Sequence, residues 1–281
     1  MPKRVVVISD LHAGSMYGLM PHAFDTYDGV LKPQNAGQEY LWRCWEDFCW
    51  RTEQFKPDFV IVNGDCIEGP QRKSNGFEVS LPSQEDQIAA AIKSLELLKT
   101  RTSNARWFFT MGTPYHVGDW GGAEEAIARA LGGEAYPSVG VGKHCREALW
   151  IDIEGVILEV AHHIGGASGF YRLTAIDREG QWSAMAAKDP SKGVPKADLL
   201  IRSHVHFFGL GEHASKQMLT TPCWKLADRY ARKHSMHRFH PDIGGIFIEV
   251  CGEAKKRGEA PCQIRKELYS LPPVPVVKTD E

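Results

Sequence analysis

The sequence predicts a single domain of the α/β class, on three observations. Short apolar runs read as buried strands: Val5-Val6-Val7-Ile8, Phe59-Val60-Ile61-Val62 and Leu199-Leu200-Ile201. Amphipathic stretches separate the early runs and give the order β-α-β-α-β from the start of the chain. Each apolar run is followed at once by ligand-type side chains: Asp10-Leu11-His12, then Gly64-Asp65-Cys66-Ile67-Glu68, then His204-Val205-His206. The carboxyl ends of strands are where open α/β sheets build their sites.

After the first strand, residues 13 to about 38 form a loop rich in Gly, Pro, His and Asp, too long for a simple connection and a candidate site wall. Tyr40, Leu41, Trp42, Cys44, Trp45, Phe48 and Cys49 recur at helical spacing, and the helix ends before Lys56-Pro57. This stripe reads as a core face rather than a cofactor box. Pro82-Ser83-Gln84-Glu85 opens a second helix with Ile88, Ala91, Ile92, Leu95 and Leu98 inward, and Arg106 to Met111 is the next strand. A third helix is expected from Gly122 to Leu131. Ala148 to Ile153 and Val156 to Ala161 then flank Glu154-Gly155 as a hairpin. A helix from about Gly169 to Ala187 leads to a strand at Asp198 to Ile201. Strands at Gln217 to Thr220, Gly245 to Val250 and Gln263 to Leu268 finish residues 1–270, and the Pro-rich 271–281 reads as an extended tail. No repeat of period 20 to 50 is visible.

The 281 residues, 43% hydrophobic and 24% charged, suit one soluble globular domain, and no Gly/Ser-rich linker divides them. A net charge of -2 gives no general attraction to nucleic acid or anionic membrane, so any polyanion must be held locally. Seven scattered cysteines without a CxxC pair suit neither a disulfide framework nor a zinc ribbon. With no apolar signal core and no run approaching the ~20 residues that cross a bilayer, the expectation is a cytoplasmic protein without membrane contact.

Strand alternation places residues i and i+2 on one side, so Asp10 with His12, and His204 with His206, can each converge on an ion. Asp65, on a Gly-Asp turn, is suited to bridge two ions. Taken singly, each piece also fits an ordinary turn or a surface pair. Their order, with every piece closing a predicted strand, favours a metal cluster.

In these blocks the sequence resembles the calcineurin-like metallophosphoesterases, whose motifs run DxH, GDxx(D/E), GNH(D/E), a lone His and GHxH. The match spans Val5 to about Phe208. The resemblance implies a four-layer α/β/β/α sandwich of two mixed β-sheets, with a dinuclear metal centre at the strand ends. It implies that Asp10, His12 and His206 bind the first metal, that Asp65 bridges, and that His204 and His162 bind the second. Glu68 would be the acidic residue of the second block, held behind the ligands. His163, next to His162 after the strand at 157–161, is the fallback ligand and otherwise a neighbour of the ligands or a substrate contact.

Two departures bear on the second metal and on proton transfer. In place of Gly-Asn-His-Asp stands Met111-Gly112-Thr113-Pro114-Tyr115-His116. Thr113 offers a hydroxyl, a poorer neutral ligand than an amide carbonyl. His116 is expected to serve as proton donor to the leaving alkoxide or to stabilise the phosphoryl transition state, with Asp119 as its orienting group; a plain surface-loop histidine is the alternative. Ser203 replaces the Gly before His-x-His, a change expected to affect backbone freedom more than chemistry.

The expected chemistry is phosphoester hydrolysis with Asp65 and His116 as the catalytic pair. Two divalent ions about 3.5–4 Å apart would ionise a shared water that attacks phosphorus in line. Mn, Fe, Zn and Ni all suit Asp and His ligands. The Arg-Gly clamp of the protein-phosphatase branch is absent after Glu68. Lys225, Arg229, Arg232 and Lys233, with Arg238, His234, His237 and His240, interleave with Trp224, Tyr230 and Phe239. This composition fits phosphate contact with base stacking, and equally a solvated helix with Leu226 and Tyr230 inward. The expected partner is a phosphoester substrate, with nucleotide or single-stranded nucleic-acid phosphodiesters ahead of monoesters. The other reading is a scaffold that keeps the fold and binds a partner without turnover.

Overall fold

The computed structural model describes residues 1–72, 75–118, 121–136, 142–165, 171–213, 216–233 and 240–271. The expected β-α-β-α-β opening is present as β1 (Lys3–Ile8), a small β2–β3 pair (Phe24–Asp25, Leu31–Lys32), α1 (Ala36–Phe55), β4 (Phe59–Asn63), α2 (Gln84–Arg101) and β5 (Arg106–Thr110). Asn35 and Gln38 close a capping box on α1, and Lys56 in the left-handed region ends it before Pro57. Ser83 caps α2, accepting from the Asp86 amide. Then follow α3 (Pro114–Val117), α4 (Gly122–Ala130), β6 (Cys145–Arg146), and the hairpin β7 (Ala148–Ile153) and β8 (Val156–Ala161). Glu154 and Gly155, with φ of 55° and 83°, make the two-residue turn of that hairpin. The remainder is α5 (Arg172–Lys188), β9 (Leu199–Arg202), β10 (Gly209–His213), β11 (Lys216–Thr220), α6 (Arg229–Lys233), β12 (Ile243–Val250), α7 (Gly252–Lys256) and β13 (Cys262–Tyr269).

Two mixed sheets result. One has the order β13-β12-β1-β4-β5-β6 and the other β10-β11-β9-β8-β7. β1, β4, β5 and β6 run parallel, β12 pairs antiparallel with β1 and β13 antiparallel with β12; in the second sheet β8, β9 and β11 are parallel.

Strand alternation sorts the apolar side chains into layers. Val6 and Ile8 face Trp45 and Phe48 of α1 and Leu95 of α2, whereas Val5 and Val7 face Leu158, Val160, Leu199 and Ile201 of the other sheet. On the far face of that sheet, Leu200 and Met218 pack against Ala175 and Ile176 of α5. Apolar strands buried on both faces are what this stacking requires. The four-layer α/β/β/α sandwich implied by the sequence resemblance is therefore the architecture of the chain. Among the described residues no helix is long and apolar enough to cross a membrane. All seven cysteines are free. The tail at 272–281 lies outside the described residues.

A polar chain joins the sheets beneath their carboxyl ends. The Ser9 hydroxyl donates to the Pro222 carbonyl (3.1 Å), so the Thr221 hydroxyl, 2.7 Å away, must donate to Ser9. Ser203 then donates to Thr221 (2.6 Å) and accepts from Asn63 Nδ2 (2.6 Å). Asn63 also donates to the Ala161 carbonyl and accepts from Thr110. Ser203, expected to matter mainly through backbone freedom, is thus a hydroxyl stitch between sheets. Every donor in this buried chain has one acceptor, so losing one member leaves its neighbours unsatisfied. Asn63→Ala is expected to cost about 1–3 kcal/mol in urea unfolding; a loss below about 0.5 kcal/mol would show that the chain is not needed.

Candidate metal centre

The sequence-predicted residues meet at the carboxyl ends of the parallel strands. Asp10 and His12 follow β1, Asp65 and Glu68 follow β4, Thr113 and His116 follow β5, His162 follows β8, and His204 and His206 follow β9. Their convergence does not come from strand alternation, as the i, i+2 spacing suggested. Asp10, His12, Asp65, His204 and His206 all lie past their strands in the left-handed region, with φ of 54°, 49°, 49°, 71° and 58°. They are five of the ten non-glycine residues with positive φ among the described residues. Such a conformation costs on the order of 1 kcal/mol or more per residue and persists only where neighbours enforce it.

Here backbone hydrogen bonds supply the enforcement. Asp10 N donates to Gly64 O and His12 N to Asp65 O, both at 3.0 Å, lacing the turns after β1 and β4 together. Trp224 N donates to Asp10 O at 3.0 Å, and His204 N donates to Asp10 Oδ2 at 3.3 Å. Two glycines make room. A Cβ on Gly64 would sit 2.6 Å from His162 Nδ1, and one on Gly112 would sit 2.1 Å from Asp65 Oδ1.

Two sets of potential ligands form, Asp10–His12–His206 and Asp65–His162–His204. In the first, His206 Nε2 lies 3.2 Å from Asp10 Oδ1 and 3.1 Å from His12 Nε2. In the second, Asp65 Oδ2 lies 3.0 Å from His162 Nε2 and 3.9 Å from His204 Nδ1. Asp10 Oδ1 also lies 3.7 Å from His162 Nε2 of the second set. Asp65, expected to bridge, has Oδ1 occupied by the Thr113 amide at 2.7 Å. The Thr113 hydroxyl, expected as a metal ligand, lies 3.1 Å from both Asp65 oxygens and so orients the carboxylate.

The donors suit a divalent cation. His162 Nδ1 is 2.6 Å from the Asn63 carbonyl, which can only accept, so Nδ1 carries the proton and Nε2 points at two carboxylates. Asp10 Oδ1 and His162 Nε2 are buried without a hydrogen-bond partner among the described residues. Buried polar atoms are almost always paired. Oxygen and nitrogen ligands bound about 2.0–2.1 Å from a zinc-sized ion stand about 3.3 Å from each other, close to the spacings in the first set. Carbonyl and carboxylate contacts behind the imidazoles, at Asn63 for His162 and at Glu68 for His12 (2.9 Å), are the usual support of a metal-binding histidine.

The electrostatics depend on burial opposed by opposite charge. Burial alone would raise the carboxyls of Asp10 and Asp65, yet both are held well below the usual carboxylate range, Asp10 by His162 and His206 and Asp65 by His162 and His116. Burial would lower His162, and Asp65 and Asp10 instead raise it to about 9. Glu68 is likewise driven below its usual range despite burial, by Lys225 and His12. His116 goes the other way: burial outweighs the attraction of Asp65 and takes it to about 4. Its Nδ1 donates to the Glu68 carbonyl at 2.6 Å, and its Nε2 lies 3.9 Å from Asp65 Oδ2. At neutral pH burial therefore leaves this imidazole uncharged, with Nε2 free to accept a proton.

Around the ligands opens a cleft of about 1090 Å³, lined in part by His116, His163, Phe77, Tyr115 and Arg229. His163 is exposed and stacks on His204 at 5.2 Å between ring centroids. The expected basic segment divides. Arg229 reaches the cleft, but Lys225 is buried in ion pairs of 3.0 Å with both Glu68 and Asp228. Arg232 lies over the Tyr17 ring and donates to the carbonyl of Ala227, a residue of the cleft lining. Trp224 is fully buried edge-on to Trp45 and cannot stack with a base. Asp119, expected to orient His116, lies outside the described residues, as do 234–239 and the Lys233 side chain.

Sequence reasoning missed Glu124 and the support roles of Asn63 and Lys225. Glu124 is fully buried, accepts from the Cys66 amide at 3.3 Å, and is raised to about 8 by burial and by Asp65. A charged residue on the buried face of α4 was the available signal.

No family model matches the chain, and no curated protein matches it. Solved structures do. Vacuolar protein sorting 29 from Cryptosporidium parvum is 13% identical over 96% of this chain and 99% of that one, with a TM-score of 0.44. A novel archaeal phosphodiesterase is 10% identical over 95% and 99%, with a TM-score of 0.44. A dimetal phosphatase from Danio rerio is 11% identical over 89% and 93%, with a TM-score of 0.44. All three have the calcineurin-like metallophosphoesterase fold, the family that the sequence motifs resemble. At these identities and TM-scores the likeness carries no residue's role and no activity over to this chain.

Glu124 gives a pH-dependent test. Below its ordinary 4.5 the carboxyl is protonated folded and unfolded; between 4.5 and about 8 the unfolded chain releases the proton and the folded chain keeps it. The wild type therefore loses stability across that window as pH rises. In chelator-treated protein, Glu124→Gln is expected to match the wild type near pH 4.5 and to gain a growing Tm advantage towards pH 8. A Tm difference that does not change with pH would contradict the buried neutral acid.

Proposed function

We propose that the chain is a metal-dependent phosphoesterase that binds two divalent ions, one at Asp10, His12 and His206 and one at Asp65, His162 and His204. The observation that carries this reading is the pair of fully buried atoms without a hydrogen-bond partner, Asp10 Oδ1 and His162 Nε2, 3.7 Å apart behind the His12, Asp65, His204 and His206 side chains that line a large cleft. When bound, such ions polarise a phosphoryl group and lower the pKa of water. Mn, Fe, Zn and Ni remain alternatives, since Asp and His donors accept each.

The chain's own residues do the rest. Asn63 and Glu68 fix the rings of His162 and His12, and Thr113 fixes the Asp65 carboxylate. Hydrolysis forms a bond from a water oxygen to phosphorus and breaks the bond to the leaving oxygen, which keeps the electron pair. One proton must leave the water and one must reach the leaving oxygen. His116, neutral with Nε2 directed at the site, is placed to take the first and return it.

The scaffold reading also has an observation behind it, because the Thr113 amide and hydroxyl are both committed to Asp65 and add no free neutral ligand. Turnover separates the two. Hydrolysis of a bis-aryl phosphodiester with Mn²⁺, abolished by chelator, is expected of the enzyme; metal-loaded protein without hydrolysis would favour the scaffold. His116→Ala is expected to keep its metal content and lose roughly 100-fold or more in kcat on an alkyl leaving group, with a smaller loss on nitrophenolate. Equal losses on both leaving groups would remove His116 from proton transfer.

A further inference from the structure

The cleft has a wall whose chemistry differs from that of the metal centre. Phe77 is 70% exposed yet lines the cavity, and the guanidinium of Arg229 sits 5.7 Å from its ring centroid. A lone exposed aromatic ring is ordinary, but this one belongs to a fixed assembly. Glu78, buried beside it, accepts from the Arg229 amide at 2.9 Å, and its carbonyl accepts from Met16 N at 2.8 Å. The pairing of Lys225 with Glu68 and Asp228 holds the start of the same segment onto the back of the ligand shell. The wall is therefore anchored to the loops that carry Asp10, His12 and Glu68.

Charge selects what the wall can recognise. Lys225 and Arg229 are the lysine and the arginine among the described residues lining the cleft, and Lys225 is neutralised by two carboxylates. Arg229 has no ion pair among the described residues. Tyr115, 37% exposed and edge-on to His116, adds a second ring to the lining. An anionic phosphoryl site bordered by an arginine on a phenyl face and by a phenol ring matches a ligand with a flat aromatic group close to the phosphate. The volume, about 1090 Å³, exceeds what a small phosphomonoester fills.

We propose that Phe77 and Arg229 form a base-stacking subsite and that the substrates are nucleoside phosphodiesters. This deepens the phosphoesterase reading and rests on it. The shared chemistry, a base next to a phosphodiester, occurs in free nucleotides and in single-stranded nucleic acid.

Steady-state kinetics with Mn²⁺ test it on two diesters with one leaving group, thymidine 5′-(4-nitrophenyl) phosphate and methyl 4-nitrophenyl phosphate. The wild type is expected to prefer the thymidine ester by about tenfold or more in kcat/KM, mainly through KM, the scale of one stacked base. Phe77→Ala and Arg229→Gln are each expected to shrink that preference several-fold, with unchanged metal content and Tm reporting an intact fold. Hydrolysis of both esters without a base preference, or a preference unaltered in both variants, would overturn the subsite alone. No hydrolysis of either ester by metal-loaded wild type would overturn the phosphoesterase reading beneath it. A thymidine dinucleotide and a ten-residue oligothymidylate distinguish the sources: a higher kcat/KM on the longer chain assigns single strands, and equal or lower values assign free nucleotides.

Discussion

Two carboxylates with no solvent exposure, Asp10 and Asp65, stand among imidazoles at the junction of two sheets, and the surrounding structure accommodates that charge. Burying an ionised carboxylate costs several kcal/mol unless opposite charge and hydrogen bonds offset it. His162 and His206 supply the nearest compensation for Asp10, and His162 and Thr113 for Asp65. The left-handed backbone at five candidate ligands is a second cost carried by the same small region. Lacing of the turns after β1 and β4, and the polar chain from Asn63 to Pro222, hold that strained arrangement in place. Behind it, Lys225 and Glu68 form a buried ion pair whose carboxylate also meets His12, so the charge balance extends past the ligands into the cleft wall.

The layers explain why the site sits where it does. Parallel strands bring their carboxyl ends to one rim, and apolar packing on both faces of each sheet leaves that rim as the place where polar groups gather. β1 and β4 of one sheet and β8 and β9 of the other each contribute candidate ligands, so neither sheet holds a complete site. Shifts between the sheets would change the spacing of the two ligand sets. The hydroxyl stitch through Ser203 and Thr221 opposes such shifts.

Much of this was legible in the chain because it rests on local pattern. The apolar runs of β1, β4 and β9 and the amphipathic α1 and α2 carry their own periodicity, and Asp-x-His, Gly-Asp and His-x-His stand directly behind strands. Where the partner lies far off, the reading failed. Ser203 looked like a mild glycine replacement because its partners, Asn63 and Thr221, are joined to it only by the fold. Lys225 looked like a phosphate contact, since composition does not reveal the carboxylate of Glu68 beneath it, 157 residues away. β10 escaped notice because Gly-Leu-Gly-Glu-His at a sheet edge has no buried face to impose alternation, and α3 because four residues behind Pro114 carry no period. The neutral state of His116 is likewise a product of burial, which no local motif encodes.

The central claim is that the chain would hold two divalent ions, one at Asp10, His12 and His206 and one at Asp65, His162 and His204. Equilibrium dialysis of chelator-treated protein against Mn²⁺ or Zn²⁺, with elemental analysis, measures it directly in the wild type and in Asp10→Asn. The account predicts two ions per chain in the wild type and fewer than two in the variant, with the fold retained by circular dichroism. A wild type that binds none, or an Asp10→Asn chain that still holds two, would contradict it.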